Sequence, residues 1–326
     1  MMTNPISNKI IEILKEKNSF LITSHVYPDG DSLGTMLALG FFLKEKLGKQ
    51  VDMVQDGQVP EIYQFLPRWQ EIKDKNQLQS RYDVLIALEC PSPARMGTVL
   101  EKVSPGHLVI NIDHHKDNQL YGDINWLNAK ASAVGELIYE IIDGIDSDAL
   151  TPEMAVCLYT AMFTDTGGFH YSNTTGNTLR YCADLLDRKV DGWEIARKVY
   201  HTSPYNKTRL LGEMMAGIRV IHHGKVAYGC ITRQMFDKCE CSPNDTEGFV
   251  NPVRAVEGIE IGILFQETLD GKTKASFRSL GQYDVAELAK KFGGGGHAMA
   301  AGATIEGPIS VVTESVLENV VQWMES

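Results

Sequence analysis

The chain predicts an α/β fold: a parallel-sheet domain over residues 1–190, joined by a helical connector, 191–216, to a smaller mixed α+β domain, 217–326. Three observations predict it. Short β-rich runs alternate with helical patterns from residue 19 to about 190, as β-α-β units stacked into a parallel sheet do. Three apolar runs, Ser19 to Thr23, Val84 to Leu88 and Leu108 to Ile112, each stop at residues able to bind a divalent cation. Past Gly217 the texture changes, with β runs clustered together and helices between them.

Taken in order, Met1 to Asn8 is polar and leads into an amphipathic Ile10-Ile11-x-Ile13-Leu14 stretch, without the basic, apolar and small-residue order of a secretion signal. Strands are expected near 20–24, 51–55, 83–88, 108–112 and 122–126. Leu33, Met36, Leu37, Gly40 and Phe41 recur at helical spacing within Ser32 to Leu47, and Ser132 to Asp143 is a second helical stretch. Thr151 as N-cap and Pro152 at the first helical position open a third, which ends near Phe163. Trp193 to Met215 is polar and helix-prone, carrying Lys198, Lys207, Arg209 and Glu213; its apolar faces serve dimerisation or pack against the sheet. The second domain begins with β runs at Ile218 to His222 and Val226 to Thr232. A helical stretch before Glu257 follows, then paired strands Ile259 to Glu267 and Thr273 to Ser279 around the turn Asp270-Gly271.

Bulk properties exclude several classes. At 43% hydrophobic and 22% charged, 326 residues make an ordered chain long enough for two cores. A net charge of -11 argues against a duplex-binding surface, which needs a broad cationic face to displace counterions. The most apolar stretch, Leu33 to Leu43, is too short to span a bilayer, so no membrane partner is expected. Six scattered cysteines (Cys90, Cys157, Cys182, Cys230, Cys239, Cys241) fit reduced thiols and a cytoplasmic location better than a disulfide framework.

The strand ends carry the chemistry. In an open parallel sheet ligands sit beyond the carboxyl ends of the strands, so His25-x-x-Pro28-Asp29-Gly30-Asp31-Ser32, Glu89-Cys90 and Asp113-His114-His115 would share one pocket. Asp29 and Asp31 lie two apart in a turn and can face one side if extended, while Ser32 could serve only to cap the next helix. Asp165-Thr166-Gly167-Gly168-Phe169 adds a carboxylate after a helix, in a turn where glycine lets backbone approach a ligand; it also reads as a plain helix-ending turn. Mixed carboxylate and imidazole donors suit Mn²⁺ or a similar borderline cation, with Mg²⁺ the second choice. A pair of such ions would lie about 3.5–4 Å apart, bridged by a carboxylate and a water.

At these residues the chain resembles the DHH phosphoesterases: His25-x-x-Pro28-Asp29-x-Asp31-Ser32, Asp113-His114-His115 and Asp165-Thr166-Gly167 look like their motifs. Gly293-Gly294-Gly295-Gly296-His297 looks like the DHH-associated C-terminal domain. The two-domain layout is most similar to the nanoRNase type, oligoribonucleases that also remove the 3'-phosphate of 3'-phosphoadenosine 5'-phosphate. The resemblance implies that His25 and Asp29 hold one cation, that Asp31, His114 and Asp165 hold the other, and that Glu89 bridges them. The family pattern has Asp at this last position; Glu, one methylene longer, would have to withdraw, shift one ion or bind only one. Asp113 is expected to orient His114, as carboxylates behind ligating imidazoles do, and His115 to assist the phosphate or the leaving oxygen.

In the second domain Arg278, Ser279, Gly294, Gly295, Gly296 and His297 are the expected substrate-binding residues, with Asn251 and Arg254 as weaker candidates that also read as a helix start and a solvated charge. Arg offers a fork matched to phosphate, and glycines let backbone amides close on it. The implied partners are a short single-stranded oligonucleotide, a dinucleotide or a nucleoside bisphosphate, held across an interdomain cleft. Other readings are a RecJ-type single-strand exonuclease, a pyrophosphatase, a cyclic-dinucleotide pathway phosphodiesterase, and a nucleotide-binding regulator impaired at Glu89.

Overall fold

Apolar runs at the predicted places build a six-stranded, wholly parallel sheet in the computed structural model, which describes residues 4–79, 81–104 and 106–325. Met1 to Thr3 of the polar start lie outside the described residues. The strands are β1 (Ser19–Thr23), β2 (Gln50–Gln55), β3 (Ile72–Asp74), β4 (Val84–Leu88), β5 (Leu108–Asp113) and β6 (Ile124–Leu127), in the order β3-β2-β1-β4-β5-β6. From β1 the chain winds outward to β3, then returns to lay β4 against the free side of β1. The β1/β4 junction is therefore a topological switch point, where the loops leaving the two strands diverge and open a crevice. The chain divides into two compact units, Met1–Thr202 and Ser203–Ser326.

Helices of the first unit are α1 (Pro5–Glu16), α2 (Gly30–Phe41), α3 (Val134–Ile145), α4 (Pro152–Asp165), α5 (Gly176–Asp187) and α6 (Gly192–Tyr200). Every residue of α2 is buried, the polar Asp31, Ser32 and Thr35 included, and the remainder of the helix is apolar. It lies so close to α4 that a Cβ on Gly34 would strike the Cys157 carbonyl. The fully buried Val84, Leu85, Ile86 and Leu88 of β4 each contribute about 1.5–3 kcal/mol.

In the second unit, α7 (Tyr205–Ala216) precedes β7 (Arg219–Ile221), β8 (Val226–Ile231), α8 (Arg233–Cys239), α9 (Val250–Arg254), β9 (Ile261–Glu267), β10 (Thr273–Ser279), α10 (Val285–Lys290), β11 (Gly295–His297), β12 (Ala300–Ile305) and α11 (Ile309–Glu325). The segment expected as a connector thus contributes α6 to the first unit and α7 to the second. Sheet order is β11-β12-β10-β9-β8-β7, antiparallel except for the β8–β9 pair. All six cysteines are free thiols, and among the described residues no helix is long and apolar enough to cross a membrane.

Candidate metal centre

The loop leaving β1 and the first turn of α2 carry three of the expected ligands. His25 is buried, and its Nδ1 lies 2.9 Å from the Val26 carbonyl. A carbonyl only accepts, so Nδ1 carries a proton there, which leaves Nε2 as the atom that a cation could take in the neutral ring. That atom is 3.9 Å from Asp29 Oδ2 and 3.7 Å from Glu89 Oε2. Asp29, rather than Ser32, is the N-cap of α2: its Oδ1 accepts from the Ser32 amide at 3.0 Å while Ser32 Oγ accepts from the Asp29 amide. One carboxylate oxygen fixes the helix start and the other faces His25.

Asp31, in the first turn of α2, is fully buried and accepts from the amides of Val134 (2.6 Å) and Gly135 (2.9 Å) and from Thr35 Oγ1 (2.9 Å). Those amides are the positive end of α3, which draws a carboxylate. Burial nonetheless raises the Asp31 pKa, with His114 and the two amides pulling the other way.

Glu89 follows β4 in the left-handed region, φ 51°, with its amide donating to the Ile112 carbonyl. Its side chain is buried and Oε2 has no hydrogen-bond partner among the described residues. Burial pushes its pKa well above the carboxylate range, and the charges of Asp29, Asp31 and Asp165 push it further. At the end of β5, His114 Nδ1 lies 3.2 Å from the Ala131 carbonyl, which turns Nε2 to within 3.6 Å of Asp165 Oδ2. Asp165 is the last residue of α4, and burial, then Asp31 and Asp29, raise its pKa strongly. The expected support of the His114 imidazole by Asp113 takes another form. Asp113 Oδ1 receives the His114 amide (2.7 Å) and His115 Nδ1 (2.8 Å), so the ring it orients is that of His115.

Ligand atoms within 4.8 Å of one another fall into three overlapping groups: His25, Asp29, Glu89; Asp31, His114, Asp165; and Glu89, His114, His115. Glu89 joins the first group to the third, and His114 the third to the second. An unpartnered buried carboxylate oxygen, two imidazoles whose Nε2 atoms face carboxylates, and carboxylates that raise one another's pKa together suit cationic ligands. The mixed oxygen and nitrogen donor set fits a borderline divalent ion.

Sequence reasoning missed the main-chain partners, Val134 and Gly135 amides and the Ala131 carbonyl, because any residue type can supply them. It also missed Asn111 and Asn118, which bond to one another and, through Asn118, to Asp113.

Of the second-unit candidates, Arg278 and His297 both stand opposite Ala300, on β10 and β11, and so share one sheet face. The next row across the same strands is Ser276, Gly302, Gly295, which leaves that stretch nearly free of side chains. A Cβ on Gly294 would strike the Gly302 carbonyl and one on Gly296 would lie 2.6 Å from Ala301 Cα, so both glycines are needed for the hairpin itself; Gly295 has open space. Ser279 is buried, its hydroxyl donating to the Tyr283 carbonyl and accepting from the Gly281 amide, which commits it to a turn. Asn251 is exposed on α9, and Arg254 lines a separate depression with Glu257, Glu260 and Gln282.

Residues 19–162 match the model of the DHH family N-terminal domain and residues 224–326 that of the DHHA1 domain. The chain is 32% identical, over 95% of its length and 92% of the relative's, to the bifunctional oligoribonuclease and PAP phosphatase NrnA of Thermus thermophilus. To the Bacillus subtilis protein of the same name it is 26% identical over 92% of this chain and 93% of that one. The crystal structure of an exopolyphosphatase-related protein from Bacteroides fragilis superposes with a TM-score of 0.91 at 27% identity, covering 98% of each chain.

Proposed function

The chain belongs to the DHH family of phosphoester hydrolases, and from that premise we propose that it cleaves short oligoribonucleotides or linear dinucleotides to 5'-mononucleotides. The same site would take 3'-phosphoadenosine 5'-phosphate to AMP, as the names of the Thermus and Bacillus relatives describe for those proteins. One observation carries the reading: His25, Asp29, Asp31, Glu89, His114 and Asp165 converge beside one switch point, with an orphaned Glu89 oxygen among them. Relatives spanned almost end to end by this chain do not favour the RecJ-type reading or an inactive regulator.

His25 with Asp29 would hold one divalent cation and Asp31, His114 and Asp165 the other, with Glu89 serving both; Mn²⁺ is the proposed metal. When bound, such cations supply water of lowered pKa and positive charge for the phosphoryl oxygens. The chain's own contribution is geometric and protonic. Asp113 holds a proton on His115 Nδ1. Burial opposes charge on this ring, but the Asp113 hydrogen bond and charge outweigh it and raise its pKa. A protonated His115 suits donation to a leaving oxygen. Arg278 and His297, on one face beside the open Gly302–Gly295 row, support recognition of the substrate's far phosphate and base. Scattered free thiols support a cytoplasmic setting.

Release of mononucleotide from a 5'-phosphorylated dinucleotide, run beside 3'-phosphoadenosine 5'-phosphate, pyrophosphate and a long oligomer with Mn²⁺, Mg²⁺ or chelator, tests the proposal. Metal-dependent cleavage of the first two substrates is expected, with rate falling as length grows. Undiminished digestion of long strands, or activity in chelator, would overturn it.

A further inference from the structure

Glu89 keeps a left-handed backbone although it is neither glycine nor asparagine, and something must hold it there. The carbonyls on either side of it are both gripped by one residue: Asn111 Nδ2 donates to Ala87 O at 3.2 Å and to Cys90 O at 3.1 Å. Tyr121 Oη also donates to the Cys90 carbonyl, at 3.0 Å. Asn111 is buried, and its Oδ1 accepts from Asn118 Nδ2 at 2.8 Å; the same Asn118 amide donates to Asp113 Oδ2. Asn118 Oδ1 is fixed in turn by the Leu120 amide at 2.7 Å, and the Gln119 amide reaches the Pro91 carbonyl at 2.8 Å. A continuous series of hydrogen bonds thus runs from the turn that bears His114 and His115 to the turn that bears Glu89.

We propose that Asn111, Asn118 and Tyr121 are positioning residues, a neutral clasp that holds the Glu89 turn at a set distance from the Asp113-His114-His115 turn and so fixes the spacing of the cation sites. The proposal rests on the metal-centre reading above. Neutral amides suit the task, because the centre already crowds four carboxylates: a cationic donor would compete with the bound ions for them, and another anion would add to their repulsion. The clasp also accounts for how a Glu fits here: leaving the strand conformation at residue 89 re-aims the longer side chain away from the alternation of β4, and the clasp holds that departure in place. Occupation of Asp113 Oδ2 by Asn118, and of Oδ1 by the His114 and His115 groups, commits Asp113 to support.

The test uses the full chain and the variants Asn118→Ala, Asn118→Asp and Tyr121→Phe, the last removing one hydrogen bond and keeping the ring. Mn²⁺ affinity and stoichiometry are measured by calorimetry, the coupling between bound ions by electron paramagnetic resonance, and melting temperature in chelator. Asn118→Ala is expected to weaken Mn²⁺ binding roughly 10- to 100-fold and to alter the resonance spectrum, Asn118→Asp at least as much, and Tyr121→Phe less. A lower melting temperature with unchanged Mn²⁺ affinity and spectrum in all three would overturn the proposal and leave the metal centre standing. Failure of the wild-type chain to take up Mn²⁺ or Mg²⁺ would overturn the functional reading, and this one with it.

Discussion

Replacing Glu89 by Gln should stabilise the metal-free protein and cripple the loaded one, opposite effects from one oxygen-to-nitrogen exchange. Glu89 is 2% exposed, its Oε2 unpartnered, with three carboxylates near enough to raise its pKa. Uncompensated polar burial of this kind costs about 1–3 kcal/mol. A Gln amide cannot ionise, so no charge is buried there at any pH, and its NH₂ faces His25 Nε2, which stands 3.7 Å from Oε2. At about 2–4 °C per kcal/mol for a unit of this size, melting in chelator should rise by roughly 3–10 °C. The metal effect runs the other way. At a Mn²⁺ concentration about 100 times the wild-type Kd, binding stabilises by ~2.7 kcal/mol, whereas a variant binding a hundredfold more weakly gains only ~0.4 kcal/mol. The pH dependence carries a sign as well. With the folded pKa raised above the ordinary 4.5, the native state holds the extra proton, so metal-free stability is greatest at or below that value and declines as pH climbs through the raised pKa. Glu89→Gln should flatten that decline. Scanning calorimetry with chelator and with Mn²⁺, at several pH values, reads all three quantities. A variant that melts lower in chelator, or that keeps the full Mn²⁺ shift and turnover, would refute the reasoning.

Asp31→Asn should also abolish turnover, but its metal-free form should melt below Glu89→Gln, because an Asn NH₂ turned toward the Val134 and Gly135 amides leaves a donor unpaired at a cost of about 1–3 kcal/mol. Gly34→Ala should lower stability by roughly 1–3 kcal/mol in thermal melts through overpacking of α2 against the Cys157 carbonyl. For Arg278→Ala, steady-state kinetics should show KM rising about 10- to 100-fold with kcat and Mn²⁺ affinity nearly unchanged, and Arg278→Lys should recover only part of the loss.

The parallel sheet and the gathering of His25, Asp29, Asp31, Glu89, His114 and Asp165 near one another were legible because strand cores announce themselves by apolar runs, and the residues that follow them by their chemistry. Elements that escaped lacked one of those signals. β3 is three residues long, with Lys73 and Asp74 in it, and forms only by docking on the edge of β2. Helix α11 is rich in Val, whose stiff side chains favour strands, yet Val312, Val316 and Val320 at fourfold spacing lie on its buried face. β12 opens with Ala300, Ala301, Gly302 and Ala303, poor strand formers drawn into place by pairing with β10. At the centre itself, the role of Asp29 as cap and the Asp113–His115 pairing follow only from the folded backbone, since both depend on which of two neighbouring polar groups a turn brings closer.

The proposed cation ligands are strung from His25 to Asp165, and the strand order places β1 next to β4, so the His25, Asp29, Glu89 group closes once β4 is laid down while the Asp31, His114, Asp165 group must wait for the end of α4. During synthesis, at about 5–20 residues per second, His25 leaves the ribosome roughly seven to thirty seconds before Asp165 follows. Filling of the second site is therefore a late event in the birth of this chain, and an ion held there would mark the arrival of α4 beside the sheet wound around β1.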